Sequence, residues 1–86
     1  MFFPKIGSWV LSSHAARRML ERGISKGDID WILHDPDLAI PQGPKWILAK
    51  ALPNRHDNQV AAIVIEHKGV GVWVVLSVLV GFQEKE

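Results

Sequence analysis

The stretch Ser12–Pro36, SSHAARRMLERGISKGDIDWILHDP, decides the fold. Ser12 or Ser13 offers a helix N-cap, because a serine hydroxyl can accept from the free amides of a first turn. His14 to Arg22 are good helix formers on the whole, and Gly23 supplies a left-handed stop. At 100° per residue the segment divides into two arcs. Ala15, Ala16, Met19 and Leu20 fall on one, and His14, Arg17, Arg18, Glu21 and Arg22 on the other. The apolar arc must pack on something, which leaves the charged arc for water or a site. A second helix begins at Ser25, where Asp28 three residues on makes a variant of the capping box. Ile29, Ile32 and Leu33 share its inward face, Trp31 points elsewhere, and Pro36 ends it.

Beyond Pro36 the apolar period changes from helical to alternating. Leu38 to Pro41 reads as a first strand, Gly43-Pro44 as a turn, and Trp46 to Leu52 as the next strand. A polar loop covers residues 53–58. Val60 to Glu66 is then a strand, Lys68-Gly69 a turn, and Val72 to Val80 the closing strand. Short turns make these strands antiparallel neighbours. The closing strand is apolar everywhere except Ser77, which predicts a central strand covered on both faces. Before the helices, Trp9-Val10-Leu11 is a candidate leading strand. The fold class is therefore α+β, with two N-terminal helices packed on an antiparallel sheet of about four strands.

Composition bounds the function. Eighty-six residues make one domain with a thin core, and an apolar fraction of 48% is enough to attempt it. The absence of cysteine rules out a disulfide scaffold and suits a reducing, cytoplasmic setting. Met1-Phe2-Phe3-Pro4-Lys5 lacks the features of a signal peptide. Val70 to Phe82 is too short for a membrane helix, so no membrane partner is expected. The net charge of +1 is far from that of a strongly basic nucleic-acid binder, although Arg17, Arg18 and Arg22 cluster locally.

Several groups could carry chemistry. His14, Arg18 and Arg22 recur at intervals of four, which puts them on adjoining turns of one helix face. Such a face can hold a phosphate, with guanidinium forks as clamps and the imidazole as a proton carrier near neutral pH. The same face also reads as an ordinary solvated surface with an Arg17–Glu21 ion pair. Lys50 alternates with Trp46, Leu48 and Leu52, so it is either a snorkelling cation or a phosphate contact. His67, at the end of the Val60–Glu66 strand, and Arg55, in the polar loop, are further candidates. His34 and Asp30 fit a helix-surface pair, and Ser77 a core hydroxyl. No glycine-rich phosphate loop, Rossmann fingerprint or metal-ligand spacing is present, so neither a metal nor a cofactor is expected.

The run His14-Ala15-Ala16-Arg17-Arg18-Met19-Leu20-Glu21-Arg22-Gly23-Ile24 resembles the signature H-A-x-x-R-x-x-E-R-G-I of the bacterial domain-of-unknown-function family 4258. The likeness continues through Ser25 to Asp35 and into Val74-Val75-Leu76-Ser77-Val78, where the family more often has threonine at the position of Ser77. This resemblance implies a RelE/ParE-like or MqsR-like toxin fold, two helices against a small curved antiparallel sheet. It also implies a small antitoxin partner and metal-independent endoribonuclease activity on RNA. On that reading His14, Arg18, Arg22 and His67 are the catalytic group, and Lys50, Arg55 and Arg17 contact RNA. The near-neutral charge and the lack of tyrosine depart from active relatives of that fold. The alternative is a non-catalytic module that docks a protein or nucleic acid.

Overall fold

The computed structural model describes residues 6–53, 59–66 and 71–82. The chain runs β1 (Ser8–Leu11), α1 (Ser13–Arg22), α2 (Lys26–His34), β2 (Leu38–Gln42), β3 (Lys45–Lys50), β4 (Gln59–Glu66) and β5 (Val72–Phe82). The five strands form one sheet in the order β1-β5-β4-β3-β2. From β2 to β5 every neighbour is antiparallel, as the short turns require. The leading segment is a true strand, and it pairs parallel with β5. The sheet is therefore mixed and five-stranded rather than antiparallel and four-stranded, and both helices follow a strand instead of opening the fold.

Each helix is set by local signals. The Ser12 hydroxyl accepts from the Ala15 amide at 3.0 Å, capping α1. Gly23 closes it at φ 66°, a left-handed conformation that glycine takes without a Cβ clash. The Gly23 and Ile24 amides then donate to the Met19 carbonyl. In α2 the capping box is complete, with Ser25 and Asp28 each bonding the other's backbone amide at 3.1 Å. Nine residues including a glycine would not hold a helix alone. Ile29, Ile32 and Leu33 are fully buried, and each contributes roughly 1.5–3 kcal/mol. That burial, and not propensity, holds α2 in place.

Both helices cover the same face of the sheet. Their apolar residues join Leu48, Val60, Ala62, Val64, Trp73, Val75 and Val78 in one core. In the β2–β3 hairpin Pro44 fixes its own φ negative, so the positive φ that suits the strand twist falls on Gly43, at 60°. β5 carries two more residues than β4 needs, with register shifts between Gln59 and Ala61 and between Ile63 and Val64. Such bulges increase local twist.

One bulge residue anchors α1. Leu76 has no cross-strand partner on β4, since Ile63 faces Ser77 and Val64 faces Val75. Its carbonyl accepts from the Ser12 hydroxyl at 3.0 Å, and the neighbouring Val75 carbonyl accepts from the Ser12 amide at 3.0 Å. One serine thus starts the helix and fixes it to the last strand. Ser12→Ala removes the cap and the Leu76 bond together, so urea unfolding should record a loss of about 1–2 kcal/mol. Ser13→Ala, at an exposed position beside it, should change stability by less than about 0.5 kcal/mol.

Candidate functional site

The sequence nominated two places, the outer arc of α1 and Lys50 on β3, and the structure treats them differently. His14 is exposed on the first turn of α1, Arg17 is exposed, and Arg22 lies exposed in the last turn. Arg18 is partly covered and sits 3.6 Å from Glu21. Glu21 therefore pairs with Arg18 at i,i+3, and not with Arg17. His67 and Arg55 lie outside the described residues.

Lys50 is the only buried charged side chain among the described residues, at 7% exposure. Its Nζ donates to the Asp35 carbonyl at 2.9 Å. The Asp35 and Asp37 carboxylates each stand 3.4 Å away, and the Trp31 ring centroid lies 4.8 Å from the ammonium. The three protons of the ammonium face three oxygens, with an aromatic face beside them. A phosphate reaching Lys50 would have to displace two carboxylates of its own sign. This cation ties the end of α2 to β3, and its known partners all belong to α2 or the segment that follows it.

Burying a lone ammonium is costly, so an inward lysine on an apolar strand requires nearby acceptors. Asp35-Pro36-Asp37 is the acidic cluster between α2 and β2, and that pairing was the missed signal. Asp37 does two jobs, since its other oxygen accepts from the Ala51 amide at 3.0 Å. That backbone bond, followed by the Lys50 bond and charge, holds its carboxyl below the ordinary 3.8, outweighing the opposite pull of burial. A second missed contact joins β1 to α2, where the Trp9 indole donates to Asp30 at 2.9 Å. Nothing in the local pattern points to it, because the partners are 21 residues apart. Asp30 also pairs with His34 at 3.3 Å, the helix-surface pair expected from their spacing.

The other notable feature is an apolar groove. Leu20 belongs to the apolar arc of α1, yet it is 87% exposed while Ala15 and Met19 are buried. The helix rolls so that the Ala15–Met19 line meets the sheet, and Ala16 and Leu20 are left beside the free edge of β1. There they line a cavity of about 350 Å³ with Leu11, Met19, Ile24 and Lys26. A second cavity, of about 360 Å³, continues along β1 past Trp9 and Val10 and shares Leu11 and Lys26. The Lys26 side chain makes no hydrogen bond or ion pair with the described residues.

The chain matches no family model, no curated protein and no solved structure. Its chemistry must be argued from the residues themselves. Among the described residues, no cluster of three or more His, Asp or Glu is placed to hold a metal ion. No described helix is long and apolar enough to cross a membrane.

Two outcomes follow for the Lys50 cluster. Asp35 and Asp37 are 76% and 45% exposed, so in Lys50→Met their carboxylates can rehydrate and the loss should be about 1–2 kcal/mol. The double change Asp35→Asn with Asp37→Asn leaves the ammonium buried without a counter-charge, and should cost more, about 3–5 kcal/mol. Urea titrations of both variants measure the difference. The acid limb provides an independent check. A depressed folded value means that Asp37 stabilises the fold above 3.8 and loses this contribution as pH falls toward the lower folded value. Stability measured from pH 5 down to pH 3 should decline less steeply in Asp37→Asn than in the wild type.

Proposed function

We propose that this domain is a partner-docking module, the toxin-like half of a bacterial toxin–antitoxin pair. Its groove between α1 and β1 takes an extended acidic segment of the small antitoxin-like protein. The observation that carries this reading is Leu20, a large apolar side chain turned outward over an apolar groove beside an open strand edge. A free edge supplies unpaired amides and carbonyls to an added strand, and the cavities beside it take alternate apolar side chains. Lys26, standing where the two cavities meet, favours a partner carboxylate at that point.

A second reading, metal-independent endoribonuclease, is favoured by the arc of α1. His14 is exposed one turn from Arg18, so an RNA phosphate can approach imidazole and guanidinium together. Cleavage also needs a second proton carrier for the leaving 5′-oxygen. His34, the other described histidine, is engaged with Asp30 on α2.

Co-expression with a small protein encoded beside this chain, where the adjacent reading frame supplies one, separates the readings. For docking, the two should co-purify, and Leu20→Glu or Lys26→Glu should weaken the complex at least tenfold, since burying a leucine contributes about 1.5–3 kcal/mol. A complex indifferent to both changes rejects the groove. For the ribonuclease, induction of this chain alone should arrest growth and cleave RNA, and His14→Ala should abolish both without lowering the melting temperature. An unaffected His14→Ala protein removes His14 from any catalytic role.

A further inference from the structure

Asp30 stands between two other side chains and serves both. Its Oδ1 accepts from the Trp9 indole of β1 at 2.9 Å, and the same oxygen lies 3.3 Å from Nδ1 of His34, one turn along α2. Nδ1 is closer still, at 2.8 Å, to the Asp30 carbonyl oxygen. A backbone carbonyl and an ionised carboxylate can only accept, so Nδ1 must carry a proton to be held between them. The neutral ring is therefore the Nδ1–H tautomer, and Nε2 is the nitrogen that gains a second proton. The His34 side chain is nearly half exposed, so water can deliver that proton.

We propose that Trp9, Asp30 and His34 form an acid-sensitive tether between β1 and α2, in which protonation of His34 loosens the Trp9–Asp30 hydrogen bond. In the neutral state the Nδ1–H bond goes to the nearer carbonyl, and Oδ1 is left to the indole. A proton at Nε2 puts a full positive charge beside that same oxygen. A charge-assisted bond is about twice as strong as a neutral one, so the imidazolium competes for Oδ1 and the indole keeps a weaker acceptor. Histidine is the side chain whose charge ordinarily changes between about pH 5 and pH 8, which sets the range of the switch.

The charged neighbours do not duplicate it. Among the described residues, α2 itself adds Lys26, four residues before Asp30 and without an ion pair. On β3, Lys50 is held by Asp35 and Asp37, and alternation puts Lys45 on the opposite face. β4 contributes Glu66, which shares the row of Trp9 across Trp73. α1 keeps its charges, His14 included, on its outer arc, and β1, β2 and β5 carry none. Carboxylates ordinarily titrate near pH 4, and ammonium groups above about pH 10, outside the range of an imidazole. The tether also reaches the groove, because Trp9 lines the cavity along β1 with Val10, Leu11 and Lys26. Acid thus frees one wall of that cavity, and this holds whatever the groove binds.

Heteronuclear NMR on the full chain tests the coupling directly. The chain has four indoles, and Trp9→Phe identifies the signal that belongs to Trp9. As pH falls from about 8 to about 5, that indole proton should move upfield along one titration curve, as a weakening hydrogen bond requires. His34→Gln keeps an amide donor but cannot titrate, and should hold the signal at its alkaline position. Asp30→Asn removes the charge on which the imidazolium acts, and should flatten the response as well. Both side chains are about half exposed, so circular dichroism should show the fold intact in each variant. His14→Gln and Glu66→Gln should leave the curve unchanged. A Trp9 signal that stays fixed or moves downfield on acidification overturns the proposal. So does one that still titrates in His34→Gln or Asp30→Asn, or a response lost in His14→Gln or Glu66→Gln.

Discussion

The parallel pairing of β1 with β5 is the constraint on which the rest of the structure depends. Four residues near the start of the chain, Ser8 to Leu11, bond to Val72 through Val75 near its end. Everything between must leave β1, cross one face of the sheet as two helices, and reach the far edge as β2. It then returns strand by strand until β5 lies beside β1. This path explains why the closing strand is so apolar. It has a hydrogen-bonded neighbour on each side, and its inward residues Trp73, Val75 and Val78 meet the helix layer. It explains the weight on Ser12 too, since a helix leaving β1 begins directly over the bulge of β5. A sheet completed by its ends is dominated by distant contacts, so its closure waits on the last strand.

Apolar burial and polar fixation divide the work between the helices and the sheet. The fully buried Ile29, Ile32 and Leu33 supply far more free energy than any single polar contact of α2. Yet apolar packing is undirected, and a short helix could slide or roll over Leu48 and Val64 at little cost. Lys50 removes that freedom at one end by holding the Asp35 carbonyl and two carboxylates beneath Trp31. Trp9, by bonding Asp30, does the same at the opposite side of α2. A buried ammonium adds little net stability after its desolvation is counted, so its contribution lies in position.

What the sequence made legible follows the range of each interaction. Both helices, their serine caps, the Gly23 stop and the inward Ile29, Ile32 and Leu33 were readable because capping and periodicity act within a few residues. The order of the last four strands was readable because short turns leave neighbours little choice. The parallel role of β1 was not, since its partner lies more than 60 residues away and four residues of alternation fit either direction. Lys50 was visible as an odd cation on an inward face, but its partners come from the turn after α2, whose path no local rule specifies. Leu20 misled for a related reason. A helical wheel gives the width of an apolar arc but not which line within it meets the sheet, and here Ala15 and Met19 take that line.

The apolar closing strand also carries a lesson about coverage. Apolar residues on both faces were read as a strand buried on both faces, and among the described residues only the helix side has a covering layer. Two short helices cannot wrap a five-stranded sheet on both faces. On the second face Ala49 and Ala61 lie side by side and are buried together with Ile47, and partly buried Leu38, Ile40 and Ile63 pack around them. The charged arc, the groove and the sheet face are then three surfaces on different sides of one thin domain.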